Sequence, residues 1–114
     1  MARKKISTRE RKEFKRLMDL YRDIPENKLE LVVGLIEQAA RLKIQLDDLW
    51  QDLLENGYTE VFSQGNDSFA RERPESKIFT ARDKSYQAII KQLDAMLPAK
   101  QKGSKLDAFL SDNE

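Results

Sequence analysis

Arg3, Lys4, Lys5, Arg9, Arg11, Lys12, Lys15 and Arg16 crowd the first sixteen residues, and cations at that density do one kind of chemistry well: they neutralise phosphate oxyanions. Only Glu10 and Glu13 oppose them. Eight cations against two carboxylates give this segment +6 on a chain of net charge +1, so the other residues sum to −5. That polarity suggests an arm that seeks phosphates on a body that does something else. The eight residues are the candidate DNA contacts, made to the backbone, a mode that confers affinity and salt dependence but little base discrimination. A basic run also serves as a plain solubilising tail, and that reading stands beside the first.

The other side chains exclude much. With no cysteine and no histidine there is no thiolate nucleophile, no disulfide, no usual zinc ligand and no usual neutral-pH general base. Gly34, Gly57, Gly65 and Gly103 are scattered, so there is no glycine-rich phosphate loop. Asp47, Asp48, Asp52 and Glu55 have the oxygens for a hard metal, but carboxylates gathered near a helix end read first as a solvated or ion-paired face. No catalytic residue, metal or cofactor is assigned, and no enzyme is expected.

Three helical patterns would position these groups. Ser7-Thr8-Arg9-Glu10 fits a capping box, and Phe14, Leu17, Met18 and Tyr21 make one stripe of a first helix running to about Arg22. Asp23-Ile24-Pro25 breaks it. A second helix runs from about Pro25 to Asn56, where Asn56-Gly57 supplies the stop. Along it Val32, Leu35, Ala39, Leu42, Leu46, Leu49 and Leu53 alternate steps of three and four, as in a coiled-coil seam of core or oligomer type. Leu29, Val33, Ile36, Ala40, Trp50 and Leu54 form a second stripe, which calls for a third helix or another copy of the chain. Gly34 suggests close backbone approach to a neighbour. Tyr58 to Gln64 alternates sides before Gly65-Asn66-Asp67 and reads as an extended piece or small β-hairpin. A third helix over about Glu75 to Leu97 carries Phe79, Tyr86, Ile89, Ile90, Leu93, Met96 and Leu97. Arg82 interrupts that seam, either pairing with Asp47, Asp48 or Asp52 or facing solvent. Beyond Pro98, a polar linker leads to an acidic tail in which Leu106, Phe109 and Leu110 form a candidate partner-binding face.

Ile24-Pro25-Glu26-Asn27-Lys28, the Leu- and Ala-rich helix after it, Asn56-Gly57-Tyr58-Thr59-Glu60 and above all Arg71-Glu72-Arg73-Pro74-Glu75-Ser76-Lys77-Ile78 resemble segments of phage terminase small subunits, DNA-packaging proteins carried by prophages. The resemblance covers about Phe14 to Leu97. It implies a non-enzymatic, multimeric subunit that binds double-stranded DNA and delivers the viral genome to a large terminase subunit holding the ATPase and nuclease. Many small terminases begin with a helix-turn-helix domain, whereas here a short basic helix stands in that place.

The expected fold is all-α: a long antiparallel helical hairpin with a short basic N-terminal helix, a small β-hairpin in the connection, and oligomeric association. Residues 1–16 form the basic arm, 17–98 the helical core and oligomerisation domain, and 99–114 the linker and acidic tail. No apolar run approaches the roughly 20 residues of a membrane span, so a location in the host cytoplasm is expected, with no membrane partner. The expected function is recognition of phage DNA for packaging, as a homo-oligomer. The alternative is a helical assembly adaptor that binds proteins only.

Overall fold

The computed structural model describes residues 6–98. Helix α1 spans Thr8–Leu20, a short 3₁₀ turn spans Glu26–Lys28, α2 spans Leu29–Asn56, strands β1 and β2 span Thr59–Gln64 and Asp67–Glu72, and α3 spans Pro74–Met96. Ser7 caps α1, its Oγ accepting from the Glu10 amide at 3.1 Å. The return bond of a full capping box, from the Ser7 amide to the Glu10 carboxylate, is not made among the described residues. Helix α1 stops at Leu20, short of Arg22: Tyr21 leaves helical geometry at φ −104° and ψ 19°, and the Arg22 amide turns to the Asp19 carbonyl at 3.3 Å.

The second helix also starts later than its pattern suggests. Pro25 holds an extended ψ of 140°, and the chain passes through the 3₁₀ turn before α2 begins at Leu29. Gly57, at φ 80°, ends α2 as Asn56-Gly57 predicts, its amide bonding the Leu53 carbonyl at 2.8 Å. At ~1.5 Å per residue, α2 is about 42 Å long. Helix α3 packs back along it, with Pro74 in the first helical turn.

The α2 seam is core within this one chain: Val32, Ala39, Leu46 and Leu53 are buried, and Leu35, Leu42 and Leu49 are half-buried. The second stripe divides. Its middle residues Ile36 and Ala40 are buried in the cluster that holds Leu17 and Tyr21 of α1, so the third helix demanded by two stripes is α1 itself. Leu29, Trp50 and Leu54 stay exposed. A Cβ built on Gly34 meets nothing within 4 Å, so the expected close approach does not occur among the described residues.

The fold is mostly helical with one small two-stranded sheet in the connection, where the sequence offered an extended piece or a small hairpin. Strands β1 and β2 pair antiparallel, Thr59 opposite Glu72 through Gln64 opposite Asp67. They join through Gly65-Asn66, with Gly65 at φ 63° in the first central position. One face of the hairpin is dressed by its own side chains. Phe62 and Phe69 stack at 5.3 Å between centroids, the Arg71 guanidinium lies 4.1 Å over Phe62, and Arg71 Nε donates to Glu60 Oε1 at 2.8 Å. The other face carries Val61, 76% exposed.

Candidate nucleic-acid interface

Helix α1 lays Phe14, Leu17, Met18 and Tyr21 against the core, which turns its cations outward. Tyr21 is fixed there: its hydroxyl donates to Asp94 Oδ1 of α3 at 2.7 Å, and burial, then the Asp94 carboxylate, push its ionisation well above the ordinary tyrosine value. The single helix crosses residue 16, so the basic segment is continuous with the body it was separated from in the sequence.

The eight sequence-predicted cations have different fates. Arg9 Nη1 bonds Asp48 Oδ1 of α2 at 2.8 Å. Arg16 forks onto Glu13 at 2.6 and 2.7 Å, and that bond raises its already high pKa. Arg11, Lys12 and Lys15 have no ion-pair partner among the described residues and stand exposed. Arg3, Lys4 and Lys5 lie outside the described residues, as do Leu106, Phe109 and Leu110 of the tail. Arg11 and Lys15 border an apolar cleft of about 250 Å³ between α1 and α2, walled by Ile6, Phe14 and Ala40, with Glu10 and Glu37 also on its edge. An ion pair exposed on both sides contributes at most about 1 kcal/mol, so Arg9 can exchange Asp48 for a phosphate at small cost, whereas Arg16 is held by two bonds to a Glu13 side chain only 11% exposed.

The carboxylates considered as metal ligands are engaged in other ways. Asp47 accepts from Lys43 at 3.1 Å, Asp48 from Arg9, Asp52 from Asn56 at 2.8 Å and Arg73 at 2.9 Å, and Glu55 from Gln51 at 3.0 Å. This is a face of ion pairs and amide hydrogen bonds. It also settles Arg82: each acid that could pair with it is held by another cation, and Arg82 faces solvent with no partner among the described residues.

Sequence reasoning named Arg73 only within the segment 71–78 and gave it no structural role. Its side chain is 13% exposed, its Nη1 donates to the Gly57 carbonyl at 2.8 Å, its Nη2 reaches Asp52, and Glu75 lies 3.4 Å away. Arg73 thereby ties the end of β2 to the end of α2. Its signal in the sequence is only its place immediately before Pro74, where a chain leaves a strand for a helix.

No helix among the described residues is long and apolar enough to cross a membrane. Compared with protein-family models, curated proteins and solved structures, the chain matches none of them.

Proposed function

We propose that this chain is a non-catalytic DNA-binding subunit of the small-terminase kind, which holds phage DNA and presents it to a large packaging subunit. The observation that carries the reading is the exposed face of α1. Arg11, Lys12 and Lys15 have no ion-pair partner there among the described residues, on a capped helix at the basic end of a chain whose remaining residues are net acidic. A helix locked to its body by Leu17 and Tyr21 presents cations in fixed order, so less side-chain and backbone freedom is lost on meeting a phosphate backbone. Copies associate in a homo-oligomer, and the tail residues Leu106, Phe109 and Leu110 engage the large subunit.

A second reading, a protein-binding adaptor, draws on a different observation. Trp50, Leu54, Tyr58, Val61, Phe69 and Ile78 are all exposed near the end of the helical hairpin remote from the α1–α2 turn. Electrophoretic mobility shifts at two salt concentrations separate the two. Replacing Arg9, Arg11, Lys12, Lys15 and Arg16 with glutamine is expected to weaken duplex binding and flatten its salt dependence by about 0.9 per lost phosphate contact. Wild-type protein that leaves duplex DNA unshifted at low salt would favour the adaptor.

A further inference from the structure

Across α2 from the basic helix lies a second cationic feature that the arm does not account for. Gln38, Arg41 and Gln45 follow one another at about one-turn intervals on α2, and Arg82 and Ser85 face them from α3 across an open groove of about 340 Å³. Leu42 and Ile89 supply its apolar lining. Neither guanidinium has a carboxylate partner among the described residues, and no acid lines the groove. Glu37, four residues before Arg41 and so placed to pair with it, makes no ion pair among the described residues and lines the α1–α2 cleft. Asp47, Asp48 and Asp52 are held by Lys43, Arg9 and Arg73.

Arg82 also stands where the α3 seam calls for an apolar side chain, between Phe79 and Tyr86. An arginine there forgoes core packing and must extend its head sideways to reach water. Two unpaired guanidiniums, two primary amides and a hydroxyl are the donors that grip phosphate oxygens, and an apolar lining strengthens such bonds by excluding water from one side. From Gln38 to Gln45 the donors extend about 10 Å along α2, comparable with three steps of about 3.4 Å along one DNA strand.

We infer that the Arg41–Arg82 groove between α2 and α3 is a second phosphate-binding site, and that its occupant is the backbone of a nucleic acid. The phosphate chemistry stands on the groove alone, and only the choice of nucleic acid as its source rests on the proposed function. Arg11 and Lys15 border the α1–α2 cleft while Arg41 and Arg82 line the α2–α3 groove, so the two cationic surfaces are separate. The protein would then touch phosphates on two faces.

The test has two arms on the full chain. In the first, isotope-labelled protein is titrated with tripolyphosphate while the arginine Nε–H signals are followed by NMR. Saturable shifts at Arg41 and Arg82, with the side-chain amides of Gln38 and Gln45 moving alongside, are expected. Arg22, exposed and paired with Asp19, is the control. Equal displacement of Arg22, or no saturable shift in the groove, overturns the site. In the second arm, duplex DNA affinity is measured against salt for Arg41→Gln/Arg82→Gln, with circular dichroism to show the helices intact. The slope is expected to fall by up to about two, while Arg82→Lys/Arg41→Lys keeps most of it. An unchanged slope in the glutamine variant overturns nucleic acid as the occupant. If wild-type protein binds no DNA at all, the proposed function fails with it, and the tripolyphosphate titration still decides the groove. Should Arg82 act only to set helix register, Arg82→Gln would alter the α2–α3 amide pattern while leaving the tripolyphosphate shifts at Arg41 in place, which also overturns the paired site.

Discussion

The α2–α3 hairpin has two halves made from the same two helices, one covered by α1 and one left bare. In the covered half, Leu17, Tyr21 and Ile24 join Val32, Ile36, Ala39, Ala40, Ile89, Leu93 and Leu97 in one buried cluster. In the bare half, among the described residues, α2 and α3 bury apolar side chains only against each other: Leu46 and Leu53 are buried, but Trp50 meets Phe79 at 5.9 Å and remains 44% exposed, and Leu54 is 60% exposed. Two helices bury one stripe each. A third is needed to bury a second stripe, and α1 is too short to run the full length of α2.

The largest test of that contrast is truncation of core leucines. Leu93→Ala, at a fully buried site in the covered half, is expected to cost about 2–5 kcal/mol, from lost transfer energy and the cavity left behind. Leu54→Ala, in the bare half, is expected to change stability by about 0.5 kcal/mol or less. Urea unfolding of the two variants decides it. Equal losses would mean that something beyond the described residues covers Leu54, and light scattering on the same samples would show whether that is another copy.

Next in size is the clamp at the hairpin's base. A two-stranded sheet on its own is marginal in water, so β1 and β2 depend on what ties them to the helices. Arg73→Ala removes charge-assisted bonds to Gly57 and Asp52 and is expected to cost about 1.5–3 kcal/mol. Amide hydrogen exchange should then accelerate across Thr59–Gln64 and Asp67–Glu72 before it does in α1. Uniform acceleration would show that the bare half is no separate unit of opening.

The covered half has its own weakness, at alkaline pH. Burial raises the ionisation of Tyr21 first and of half-buried Tyr86 likewise, so the folded protein favours the neutral phenols. Their contribution is whole below the ordinary value of 10.0 and is lost as pH climbs through the raised folded-state values. Denaturant midpoints should therefore fall above about pH 10. Tyr21→Phe is expected to cost about 1 kcal/mol at neutral pH, through the lost bond to Asp94, and to shrink the alkaline fall. A variant with an undiminished alkaline fall would place the sensitivity elsewhere.

What the sequence made legible was local. The three-and-four spacing of the α2 seam, the Ser7 cap and the Gly57 stop each depend on residues within a turn or two, and each is present. The first strand was readable because Val61 and Phe62 are β-formers. The second was not, because Asp67–Glu72 is largely polar and charged and is held by pairing with β1. Long-range pairing hid the rest: Arg9 meets Asp48 across 39 positions and Arg73 meets Asp52 across 21, so the number of free cations on α1 could not be read from spacing. The Arg41–Arg82 groove was invisible for the same reason, since it depends on where three acids of α2 go instead.

The smallest expected effect is at Gly34, and it bears most directly on what lies outside the chain. A glycine in a helix interior costs about 1 kcal/mol relative to alanine, and here the space beside it is empty within 4 Å, so nothing among the described residues needs the missing Cβ. Gly34→Ala is accordingly expected to stabilise the isolated chain by about 0.5–1 kcal/mol, through higher helix propensity and a less flexible unfolded state. Leu31, one turn before Gly34, is 57% exposed, so a neighbouring copy resting there would find an apolar side chain beside bare backbone. The oligomer reading then makes a separable demand: the added methyl must disturb assembly even as it stabilises the monomer. Thermal unfolding at a low and a high protein concentration distinguishes the cases. A rise in midpoint at both concentrations would remove Gly34 from any contact between copies, whereas a rise at the low and a fall at the high would place the helix backbone at Gly34 in that contact.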